Sequence, residues 1–133
     1  MDTLAWYSLD QKDKTVDHGP VSLAAALEIA KKYYTDADKE YKSDAESFAG
    51  SMFGFMRGKD TFIQFSVCGA QSVLFWFEMP KNQNAKPGFF GRIFASVVQF
   101  ESTLASWAEM EKQITDFYNY SPRQFLDNLK QAA

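Results

Sequence analysis

The chain has a single histidine, His18, and a single cysteine, Cys68, and that shortage excludes most site chemistry before any motif is sought. A lone cysteine forms no intramolecular disulfide, so a reducing, cytoplasmic setting is expected. One Cys and one His cannot build a zinc cluster. Four prolines and seven glycines in 133 residues are too few for a fibrous or linker-like chain. No uninterrupted apolar run exceeds the five residues of Val73–Phe77, whereas a membrane helix needs about 20. Met1–Trp6 shows no basic region leading into an apolar one, so no export signal is expected. Basic charge is also scarce. There are three arginines, the net charge is −3, and no basic run is longer than Lys31-Lys32, so the electrostatic footprint of a nucleic-acid binder is missing.

Apolar and aromatic residues are abundant, at 46% and 17%. Such a chain buries enough surface to offset the entropy of ordering, and its length suits one domain spanning 1–133. Thr3–Leu9 reads as a strand and the charged Asp10–Gly19 as a turn. Ser22 is a good N-cap for a helix whose stripe is Leu23, Ala26, Leu27, Ala30 and Tyr34. Thr35–Lys42 is polar, a loop or a solvated helical turn, and Ser43-Asp44-Ala45-Glu46 is a capping box opening a short helix that Gly50 stops. The period then changes. Met52–Met56, Thr61–Cys68, Ser72–Met79 and Arg92–Phe100 are strand-like. Gly-containing turns separate the first three, and a longer loop, Pro80–Gly88, precedes the last. Capping boxes at Ser106–Glu109 and Ser121–Gln124 open two closing helices. The expected class is α+β: an antiparallel meander of four to five strands with helices before and after it.

Strand patterning bears on surfaces. Ile63, Phe65 and Val67 alternate with Gln64 and Ser66, as a sheet with one wet face requires. Val73, Phe75, Phe77 and Met79 instead oppose the equally apolar Leu74 and Trp76. Either that strand is packed on both sides, or one face keeps an apolar patch for a partner. Trp76, between Leu74 and Glu78, has the surroundings of an interface anchor.

Catalytic constellations are absent. Cys68 and His18 fall in separate loops with no local signature, so a structural thiol and a surface histidine are expected. Asp36-x-Asp38-x-Glu40 opens like a calcium loop, but its sixth and twelfth positions hold Tyr41 and Ser47 instead of Gly and Glu. No phosphate-cradling glycine loop occurs. Glu109 and Glu111, two residues apart, cannot face each other on a helix. A binding module is expected, not an enzyme, and no metal or cofactor is implied.

Acidic residues cluster twice, over Asp36–Glu46 and over Glu101–Asp116, each stretch at net −3. Such stretches are ordinary solvated helix surfaces, or a negative face that steers in a basic partner. In length, in acidity, and in the order of the Ser22–Tyr34 helix, the Met52–Phe100 meander and the Trp107–Tyr118 helix, the chain resembles immunity proteins of bacterial toxin systems. These include the contact-dependent inhibition and type VI secretion families. The resemblance implies a cytoplasmic inhibitor, monomer or homodimer, that binds a cognate protein toxin and blocks its active site or substrate entry. For a nuclease toxin, carboxylates would stand in for phosphates in its basic cleft. Contact candidates are Asp36, Asp38, Glu40, Trp76, Glu109 and Glu111. Two alternatives remain open. One is a secretion chaperone holding an export substrate; the other is a small-ligand domain with a pocket of Phe55, Phe65, Phe75 and Phe94.

Overall fold

In the computed structural model, which describes residues 4–9, 14–43, 51–68, 72–81 and 97–132 (backbone alone at 38–43 and 51), the apolar alternation becomes one antiparallel sheet. Its strands are β1 (Leu4–Leu9), β2 (Thr15–Pro20), β3 (Ser51–Arg57), β4 (Thr61–Val67), β5 (Val73–Pro80) and β6 (Val97–Leu104), in the order β2-β1-β3-β4-β5-β6. Three helices among the described residues, α1 (Leu23–Ser43), α2 (Trp107–Asn119) and α3 (Pro122–Ala132), complete an α+β fold.

The sheet has six strands, not four to five. The extra one is β2, all of it but Pro20 inside the stretch read as a turn. Its residues are almost all exposed, so the segment carries no burial pattern; pairing with β1 alone makes it a strand. The polar stretch after Tyr34 is also helical, so α1 runs on to Ser43, with Ala37 buried on its inner side. Ser43 is the last described residue of α1, and the rest of the expected Ser43–Glu46 capping box falls in Asp44–Gly50, which lie outside the described residues, as do Asn82–Ser96. The last strand is described from Val97 and extends to Leu104, beyond the Phe100 expected.

One face of the sheet carries the core. Phe53, Phe55, Ile63, Phe65, Val67, Val73, Phe75, Phe77 and Met79 all point to it and are at most 1% exposed. Rings pass the contact from strand to strand: Phe53 to Phe65 at 5.5 Å, Phe65 to Phe75 at 5.4 Å. The helices close over them. Tyr33 of α1 stacks on Phe53 at 4.5 Å, and Phe125 of α3 meets Phe77 at 4.9 Å and Phe117 of α2 at 5.4 Å. Each such pair adds about 0.5–1.5 kcal/mol beyond the area it buries. Ala26 and Ala30, fully buried on α1, let that helix approach the sheet closely.

Hydroxyl caps start the helices. Ser22 Oγ accepts from the Ala25 amide at 3.2 Å, Ser106 Oγ from Glu109 at 3.3 Å and Ser121 Oγ from Gln124 at 3.3 Å. The Glu109 carboxylate reaches back to the Ala105 amide, completing its box one residue early. Gln124 instead turns forward and donates to Asn128 Oδ1, so that box is half formed. The far end of α2 is held by Arg57 of β3, whose Nη2 donates to the Phe117 and Tyr118 carbonyls at 2.7 and 3.3 Å. A cation at a helix C-terminus meets the negative end of its dipole.

Candidate functional site

The other face of the sheet is the candidate site, because no helix of the described residues packs on it. Strand parity places Ala5, Tyr7, Gly54, Met56, Phe62, Gln64, Leu74, Trp76, Glu78 and Glu101 there. Residues directly opposite one another form a row across five strands: Tyr7, Gly54, Gln64, Trp76, Glu101. Trp76 is half-buried within it, flanked by Leu74, which is 47% exposed, and Glu78.

One end of the row is locked. Gly54 has no side chain, and the Tyr7 ring lies across the space; a Cβ there would strike the Tyr7 ring and the Ile63 carbonyl oxygen. Tyr7 is thereby only 5% exposed and donates its hydroxyl hydrogen to Gln64 Oε1 at 2.9 Å. Gln64 Nε2 lies 4.0 Å from Met52 Sδ. Burial, and to a lesser degree the charge of Glu78, push the Tyr7 phenol well above its ordinary range, so it stays a neutral donor. Gln64 is thus oriented beside Trp76 by hydrogen bonds already made inside the protein.

The charge on this face has one sign. Asp17, opposite Tyr7, joins Glu78 and Glu101, and no strand position of this parity holds Lys or Arg among the described residues. Gln99 Nε2 donates to Glu78 Oε1 at 2.9 Å, which orients that carboxylate. Arg57, the basic residue of β3, points the other way, into the helix layer. The outcome is an apolar, aromatic centre with an acidic surround.

The other contact candidates with described side chains, Asp36, Glu109 and Glu111, do not join Trp76. Asp36 and Glu111 come together, lining a shallow groove of about 590 Å³ between α1 and α2 with Leu27, Glu28, Lys32 and Trp107. Lys31 Nζ lies 4.8 Å over the Trp107 ring there, so its cation covers part of the groove's aromatic wall. Glu109 is spent on its own helix as a capping group. Asp38 and Glu40 fall on α1, and their side chains lie outside the described residues. Phe55, Phe65 and Phe75, suggested as a ligand pocket, are packed ring against ring in the core, and Phe94 lies outside the described residues.

A nucleophile and a base meet at one point that the sequence did not suggest. His18 is the extra residue of a bulge where the β1–β2 register skips from Trp6–Gly19 to Tyr7–Asp17. The bulge aims its ring onto Trp6, stacked at 3.8 Å and 16°, with Nε2 2.8 Å from Ser8 Oγ. No described carboxylate is hydrogen-bonded to His18 to orient it, since Asp17 accepts from the Gly19 amide instead. Cys68, half-buried past the end of β4, lies three strands from His18 and donates weakly to the Ser66 carbonyl. No three described His, Cys, Asp or Glu side chains converge to hold a metal, and no described helix is long and apolar enough to cross a membrane.

Fold and site together define an α+β sheet protein whose described helices pack on one face and leave an acidic, aromatic-centred face opposite. Compared with family models, curated proteins and solved structures, the chain matches none of them.

Proposed function

We propose that this chain works by occupancy: it is an immunity-type inhibitor that binds a cognate protein toxin and blocks its active site or substrate entry. The observation that carries this reading is Trp76, half-buried among Leu74, Gln64, Glu78 and Glu101 on the sheet face that no described helix covers. Tight protein complexes concentrate their energy in such an aromatic anchor, while surrounding charges raise the rate of encounter. A toxin surface fitting this face offers an apolar socket ringed by Lys and Arg, as the substrate cleft of a nuclease does. Asp17, Glu78 and Glu101 then take the place of phosphates.

The test uses the purified chain and the purified product of the gene beside its own. Inhibition should be stoichiometric, and Trp76→Ala should raise the dissociation constant about 30-fold or more. Glu78→Gln should slow association, most strongly at low salt. If both variants inhibit like the parent chain, or if the pure protein turns over a substrate, the reading fails. A secretion chaperone would instead bind an extended segment of an unfolded export substrate and leave a folded toxin's activity untouched.

A further inference from the structure

The two edges of the sheet are built differently. β2 is guarded: six residues long, broken by the His18 bulge, and ending in Gly19-Pro20, features that deny a regular ladder to a neighbouring strand. β6 carries no such device. It has eight residues without Pro, Gly or Lys, pairs with β5 in unbroken register, and has no partner on its outer side among the described residues. Val97, at one end, is 45% exposed. A long unguarded edge is a template for another strand.

We propose that β6 pairs antiparallel with β6 of a second copy of this chain, the two-fold axis passing beside Phe100. Strand parity decides the register. Directly opposite residues must share a sheet face, so the pairing centres on a residue, not between two. Within Val97–Leu104, two registers then pair seven residues of each copy, one centred on Phe100 and one on Glu101. The Glu101 register sets that exposed carboxylate against itself, and directly opposed like charges are destabilising. The Phe100 register instead sets Gln99 opposite Glu101, twice by symmetry. It also sets Val97 opposite Thr103 and Val98 opposite Ser102, and brings the half-buried Phe100 rings together on the helix side. Of these two registers, only the one centred on Phe100 is self-complementary.

This dimer leaves the Trp76 face uncovered, so its failure and the failure of toxin binding are separate results. Sedimentation of the full chain over a concentration series should show a reversible monomer–dimer equilibrium. Gln99→Glu opposes carboxylates twice across the two-fold axis, besides losing the bond to Glu78 within each copy, and should weaken the dimer about five-fold. Adding Glu101→Lys should restore it, because each position then faces the opposite charge, while circular dichroism stays that of the parent. A chain monomeric at every concentration overturns the proposal. So does a dimer indifferent to Gln99→Glu, one that Glu101→Lys fails to restore, or a monomer that pairs β6 with another protein's strand.

Discussion

The two faces of the sheet use similar residues to opposite ends. On the helix side, Phe53, Phe65 and Phe75 are sealed by Tyr33 and Phe125 and see no water. On the other side, Met56, Phe62, Leu74 and Trp76 are left partly or largely exposed, with carboxylates as their polar company. Hydrophobicity alone does not distinguish a core from an exposed apolar face. What distinguishes them is whether another element of the chain supplies the covering surface.

That contrast can be broken by substitution, and the helix side should respond most. Phe65→Ala empties the middle of the ring ladder and should cost about 3–5 kcal/mol of unfolding free energy in denaturant titration. Gly54→Ala should follow at about 1–3 kcal/mol, because its methyl group drives into Tyr7 and the β4 backbone. The loss should be accompanied by increased exposure of Tyr7, measurable by its absorbance. A Gly54→Ala chain that kept Tyr7 buried at undiminished stability would contradict the locked row.

Tyr118 tests the helix side through pH. Its hydroxyl donates to the Val21 carbonyl at 2.9 Å, and burial, against the opposing pull of Arg57, pushes its pKa up to about 12. The folded protein therefore holds this proton where the unfolded chain has released it. Stability from this group is intact below pH 10 and is lost as pH rises from about 10 to about 12. Tyr118→Phe should cost about 1 kcal/mol at neutral pH and make the alkaline fall shallower in melts across that window. Leu74→Thr should be the mildest change. Its site is 47% exposed on a strand, so stability should move by no more than about 0.5 kcal/mol. A larger loss would mean that the open face is a second core.

Much of the helix side was legible beforehand. The alternation through Ile63, Phe65 and Val67 marks their common face, and β3, β4 and β5 fall within a residue of their expected limits. Serine caps set the starts of α1, α2 and α3, since a hydroxyl meeting orphan amides is a local event. β2 was not legible, because Asp17, His18, Gly19 and Pro20 are turn-forming types that become a strand only through a partner. Trp76 was legible as a candidate from parity with Leu74 and Glu78. Its neighbours Gln64 and Glu101 required the register of three strands. Asp36 and Glu111 meet in a groove despite their distance in sequence, while Glu109, two residues from Glu111, is withdrawn into a cap.

Composition and spacing by themselves determined an α+β chain with a phenylalanine-rich core, because residue type and local periodicity are properties of short segments. Only the tertiary structure decided which apolar face the described helices cover, that His18 stacks on Trp6 beside Ser8, and that β6 is an edge with no outer partner among the described residues. Those outcomes depend on which strand lies beside which and where the helices land, and no short stretch of chain encodes its distant neighbours.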